Sequence, residues 1–142
     1  MKVQIKRIDK TLPLPVYETK GSVGFDLLVR EDTKIEPNEI VLIPANVIVK
    51  VPKGYALIIA SRSSTPKKHG LTKPHGIGVI DNDYCGPEDE IKIQVQSFRG
   101  ESVTIKRGTK IAQGLFIKAD QLQFEEVDEI AASSRGGFGS TN

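Results

Sequence analysis

The chain has 142 residues, 38% hydrophobic and 27% charged, the make-up of one ordinary globular domain with a core of useful size. Lys and Arg number 20 against 18 Asp and Glu, so the net charge of +2 gives no electrostatic case for nucleic acid or a membrane as partner. The single cysteine, Cys85, excludes an internal disulfide, no apolar run approaches a membrane span, and Met1–Ile5 lacks a signal-peptide core; a cytoplasmic location is expected.

In chain order, Val3 and Ile5 alternate with Gln4 and Lys6, the period-two pattern of a half-buried strand. Gly21-Ser22-Val23-Gly24-Phe25-Asp26-Leu27 follows, a glycine-flanked turn with Asp26 at the mouth of an apolar strand. Short β-branched runs at Ile40–Ile43, Val47–Val51 and Tyr55–Ala60 read as strands. Ser61-Arg62-Ser63-Ser64-Thr65 then offers an Arg fork and neutral hydroxyls, which suits either a phosphate cradle or a solvated polar loop. A helical turn starting near Ser63 would favour an anion further.

The sharpest feature is Gly76-Ile77-Gly78-Val79-Ile80-Asp81-Asn82-Asp83-Tyr84. Apolar strand residues run straight into two acids and an aromatic. One carboxylate held at a strand end can act as a general base on water, and Tyr84 can offer a flat face to a sugar or base; a tight D-N-D hairpin turn explains the same residues. Ile91, Ile93 and Val95 alternate with polar residues, and Val103–Ile105 and Ile111–Ile117 add strands, with Gln123–Val127 as a weaker one. Gln113 sits among apolar strand residues and needs partners or solvent. A helical turn is possible over Asp128–Ala132. Many short strands and regular turns point to an all-β sandwich or barrel of jelly-roll type. The β domain covers residues 1–132, and residues 133–142 form a Gly-rich tail carrying Arg135, Phe138, Gly139, Ser140 and Thr141.

In this order, "GSVGFDL", "SRSS", "GVIDNDY", "KIAQ" and "GGFGST" resemble the five motifs of the trimeric dUTP pyrophosphatase (dUTPase) family. The resemblance runs from about Leu14 to the C-terminus. It implies a jelly-roll-like homotrimer with active sites at subunit interfaces, each built from three chains. It also implies hydrolysis of dUTP to dUMP and pyrophosphate with Mg²⁺, which limits uracil incorporation into DNA and supplies dUMP for thymidylate synthesis.

By the same resemblance, Asp81 activates the attacking water, Tyr84 packs under the deoxyribose, and the hairpin around Gly78 reads the uracil edge. Arg62, Ser63, Ser64 and Gln113 bind phosphate. Asp26 supports the metal through water, with no direct protein ligand expected. In the tail, Phe138 caps the uracil, Gly139 permits the close wrap, and Arg135, Ser140 and Thr141 reach phosphates; the tail closes over the site. Several positions depart from the family pattern. Ala60-Ser61 precedes Arg62 where P-R-S-G is usual, Lys110 stands where Arg is common, and His75 where Asn is common near the base. Arg135 lies only three residues before Phe138, a shorter lever than the common spacing. Two alternatives remain at this point. A dCTP deaminase shares the scaffold but carries a Glu where this chain has Gln94, and Gln cannot shuttle a proton. A non-catalytic nucleotide- or protein-binding β domain would have no use for a water-activating Asp81.

Overall fold

The computed structural model describes residues 1–130, 133–134 and 136–139. Eleven strands and one short helix are present among these. They are β1 (Gln4–Arg7), β2 (Phe25–Leu28), β3 (Thr33–Ile35), β4 (Ile40–Pro44), β5 (Val47–Lys50), β6 (Tyr55–Ser61), α1 (Thr65–His69), β7 (Leu71–Thr72), β8 (Gly78–Ile80), β9 (Lys92–Ser97), β10 (Val103–Ile105) and β11 (Lys110–Lys118). All pairings are antiparallel, in sheets ordered β2-β11-β6-β8, β4-β9-β7, β1-β5 and β10-β3. The result is the expected jelly-roll-like β architecture. No helix among the described residues is long and apolar enough to cross a membrane.

The core follows the sequence pattern. Ile91, Ile93 and Val95 are buried while Lys92 is exposed, as alternation across a pleated strand requires. They meet Leu27, Val29, Ile43, Leu57, Ile59 and Ile111 in one apolar cluster. Truncating a residue such as Leu27, fully buried here, to alanine would cost about 2–5 kcal/mol through lost burial and a residual cavity.

Three expectations are revised. Gln123–Val127 forms no strand: residues 119–130 are exposed throughout. The run at 47–51 ends as a strand at Lys50, although Val51 stays buried. The helical turn begins at Thr65 rather than Ser63, with Pro66 in its first turn, where a missing N–H does no harm. Its end is set by Gly70, whose left-handed φ of 66° lets its N–H bond Pro66 O at 2.9 Å. Asp128 is only a bend, and residues 131 and 132 of the expected turn lie outside the described residues.

Candidate functional site

The phosphate-type residues converge at one corner of the four-stranded sheet. Asp26 on β2 lies directly opposite Gln113 on β11, and Gln113 is opposite Ala60 on β6. The pairing of β11 with β2 shifts register between Lys110 and Ala112, a bulge. Lys110 and Gln113 are three apart and would face opposite sides of a regular strand; the extra residue turns both toward Asp26. The burial of both Ile111 and Ala112 is the other mark of the same irregularity.

Arg62 leaves the end of β6 and its Nε binds Asp26 Oδ1 at 2.8 Å, while Nη1 donates to Lys110 O at 3.4 Å. Nη2 makes no hydrogen bond or ion pair among the described residues. Lys110 Nζ bonds Glu18 Oε1 and lies 3.1 Å from Asp26 Oδ2. That second approach pairs the ammonium with the buried Oδ2, which has no other polar partner among the described residues. Glu18, and then Asp26, hold the Lys110 ammonium above the ordinary lysine pKa.

Gln113 Nε2 donates to Ser61 O at 3.1 Å, and its Oε1 sits over Gly24, where an added Cβ would lie only 2.7 Å away. Thr65 Oγ1 donates to Ile111 O at 2.7 Å and ties the loop to β11. The Ser63 and Ser64 hydroxyls make no hydrogen bond among the described residues, and Ser63 is exposed. Chemically, the corner is an oriented guanidinium with neutral donors beside it, a cradle for an anion.

The acid-bearing turn is elsewhere. β8 pairs with β6 through Ile59↔Gly78 and Leu57↔Ile80, and Gly78 packs so closely on Ile59 that a Cβ would stand 3.3 Å from its side chain. Asp81 follows β8 and is exposed. Asn82 Nδ2 donates to Pro52 O at 2.8 Å and Tyr55 O at 2.9 Å, with Val51 O at 3.4 Å. Tyr84 is 38% exposed and its hydroxyl donates to Glu90 O at 3.4 Å. Glu90 is itself fixed by Arg30 Nε at 2.8 Å and by Asn46 N at 2.8 Å, so the ring leans on a rigid support. Gly76 adopts φ 76° to turn the chain into β8. His75 next to it is exposed, its pKa lowered first by partial burial and then by the Lys73 charge.

The register shows how far apart these groups are. Ile80 is opposite Leu57, and Arg62 is five residues further along the same chain. Asp81 therefore sits about 20 Å from the Arg62 end of β6, at roughly 3.3 Å per residue. Asp26, Arg62, Ser63, Ser64 and Gln113 come together; Gly78, Asp81 and Tyr84 form a second group. Phe138 is 113% exposed and Gly139 is exposed, in contact with neither group. Arg135, Ser140 and Thr141 lie outside the described residues. Glu18 had no role in the sequence reading, while Gly24, Thr65 and Asn82 figured there only as a turn glycine, a neutral hydroxyl and a turn residue, without the contacts they make here.

No group of three or more His, Cys, Asp or Glu capable of holding a metal occurs among the described residues. Both oxygens of Asp26 already face cations, Oδ1 the Arg62 Nε and the buried Oδ2 the Lys110 Nζ, so in this structure the carboxylate orients the corner's cations and does not present an open acceptor to a metal-bound water.

A jelly-roll-like β protein with a guanidinium-and-hydroxyl corner on one strand end and a lone acid on another is a scaffold for a nucleoside phosphate. The dUTPase family model matches residues 10–142. A deoxyuridine 5'-triphosphate nucleotidohydrolase of Finegoldia magna is 39% identical over 98% of this chain and 99% of its own length. One from Legionella pneumophila is 40% identical over 99% of this chain and 94% of its own. Among solved structures, the dUTPase of Streptococcus mutans superposes with TM-score 0.78 at 33% identity, over 84% of this chain and 98% of that one. The Staphylococcus bacteriophage 80alpha dUTPase with dUPNHPP gives TM-score 0.87 at 25% identity, over 99% of this chain and 98% of that one. The chain belongs to the dUTPase family.

Proposed function

We propose that the chain hydrolyses dUTP to dUMP and pyrophosphate, in a homotrimer whose active sites span subunits. The observation that carries the assembly is the split of the site. The Arg62 corner and Asp81 lie at opposite ends of β6, so one chain cannot bring both to one triphosphate. A neighbouring copy can supply the missing half. The exposed apolar side chains Leu122, Phe124, Val127 and Ile130, and Ile77 and Val79 on the hairpin, are surfaces suited to such a neighbour.

In the assembled site, Arg62 presents its outer guanidinium edge to phosphate while Asp26 holds Nε. Ser63, Ser64 and Gln113 add neutral donors. Gly78 and its hairpin give the uracil edge backbone partners, and Tyr84 lies under the deoxyribose, leaving no room for a 2′-hydroxyl. Asp81 accepts a proton from water as its oxygen bonds to phosphorus; the bridge between the α- and β-phosphoryl groups breaks and pyrophosphate leaves. Mg²⁺ would be held by the triphosphate oxygens and water with no direct protein ligand, and would neutralise phosphate charge; Asp26 contributes by holding Arg62 and Lys110 in place. Residues 133–142 close over the nucleotide, with Phe138 on the uracil, Gly139 permitting the approach, and Arg135, Ser140 and Thr141 toward phosphate. The role in the cytoplasm is to keep uracil out of DNA and to supply dUMP for thymidylate synthesis. Gln94, on β9, supplies no proton-shuttling acid, which disfavours deamination of dCTP.

The test is pyrophosphate release with Mg²⁺ from dUTP, dCTP and UTP side by side. Turnover of dUTP alone is expected. Equal turnover of UTP contradicts the Tyr84 assignment, and ammonia from dCTP replaces the reading with a deaminase.

A further inference from the structure

Asp81 is exposed and sits just past β8, a strand of three residues whose last pair is Ile80↔Leu57. A general base has to be held within a fraction of an ångström of its water, and an exposed carboxylate on a short hairpin is poorly held by itself. The next residue supplies what is missing. Asn82 has two amide protons, and two carbonyls stand at hydrogen-bonding distance: Pro52 O at 2.8 Å and Tyr55 O at 2.9 Å, with Val51 O behind them at 3.4 Å. Val51 and Pro52 lie in the loop between β5 and β6, and Tyr55 is the first residue of β6. That loop is closed on itself by Tyr55 N donating to Pro52 O at 3.1 Å, and Gly54 takes φ 77° to make the turn.

The same loop holds the root of the C-terminal segment, because Ala119 N donates to Gly54 O at 3.0 Å just after β11 ends. We infer that Asn82 is a positioning residue: its carboxamide bolts the Asp81 turn to the Pro52–Tyr55 loop, and through Gly54 that loop keeps the acid in register with the base of the C-terminal arm. The inference rests on Asp81 being the base. Asn82 touches no substrate; it acts through the backbone of its neighbour. Asn82→Ala is expected to free the turn and to spare the β6–β8 pairs, which end at Leu57↔Ile80 and do not include residue 82.

The experiment compares Asn82→Ala and Asp81→Asn in the full-length protein, with kcat and KM for dUTP, affinity for a non-hydrolysable dUTP analogue, and the thermal midpoint. Asn82→Ala is expected to lower kcat about tenfold to a hundredfold, the loss typical of a small misplacement, with KM and analogue affinity within about twofold. A kcat equal to the parent's in Asn82→Ala, beside an inactive Asp81→Asn, overturns the positioning role and leaves the base assignment standing. Loss of analogue binding and of the thermal midpoint in step with kcat also overturns it, because the residue would then be holding up the fold. Full turnover in Asp81→Asn removes the base assignment and the inference together.

Discussion

The two halves of the site are built in opposite ways. The phosphate corner is cross-braced: Asp26, Arg62, Lys110 and Glu18 come from β2, β11 and two loops and hold one another by ion pairs, while the Gln113 amide on β11 is tied by a hydrogen bond to Ser61 O. The acid turn is hung from two short contacts of one carboxamide and a third at 3.4 Å, with Asp81 itself in solvent. A cradle for several negative charges gains from donors that are oriented before the ligand arrives, since none of that order has to be created on binding. A general base has a single task, and an exposed position leaves it reachable from a neighbouring subunit.

That contrast can be broken at either end. The largest effect is expected from Asp81→Asn, which should lower kcat by roughly 10²–10⁴ while nucleotide binding, measured by calorimetry, persists. Deleting residues 136–142 should reduce turnover by about a hundredfold, as expected when orientation at the reacting centre is lost, with the oligomer unchanged in light scattering. Normal kinetics in the truncated chain would remove the tail from the site. A smaller loss, about tenfold in kcat/KM, is expected for Gly24→Ala, because a methyl there collides with Gln113 Oε1 and must displace the amide from the corner. The displaced amide should show as a shifted side-chain resonance for Gln113.

The smallest effect concerns Glu18→Gln. The folded pKa of Lys110 is raised, so its ion pairs stabilise the protein fully below the ordinary lysine value of 10.5, and that contribution is lost as pH rises through the folded value. Both partners are more than one-third exposed, so solvent screening limits the effect to a few tenths of a kcal/mol, about the lower end for surface pairs. The variant should melt slightly earlier than the parent at neutral pH, and the gap should close in strongly alkaline buffer. A gap that persists there would assign Glu18 a role other than pairing with Lys110.

Much of the fold was legible where one face of a strand meets the core. The alternation of Ile91, Ile93 and Val95 is written by burial on a single side, and the structure repeats it. The weaker strand expected at Gln123–Val127 failed: its two apolar residues, Phe124 and Val127, are three apart and give no single apolar face, and Phe124 is 102% exposed. At the site, Asp26, Arg62 and Gln113 were recognisable as residue types, and they do meet. The bulge that turns Lys110 to the same side was not legible, since an extra residue in a ladder depends on the partner strand and leaves no mark in local composition. Nor was the distance between the corner and Asp81, because it is set by the register of β8 against β6. The Asn82 contacts were hidden for a similar reason. Their acceptors are backbone carbonyls some 27 to 31 positions earlier, and any residue type could have supplied them.

β11 lies between β2 and β6, yet it is the last strand in the chain among the described residues. During synthesis, β2 and β6 emerge long before the strand that joins them, each with an open row of backbone donors and acceptors. The sheet can be completed only when residues 110–118 leave the ribosome, and those residues bring Lys110 and Gln113 with them. Premature termination before this point would leave a fragment with two unsealed edges and no anion corner, one that a cell must degrade or sequester rather than use.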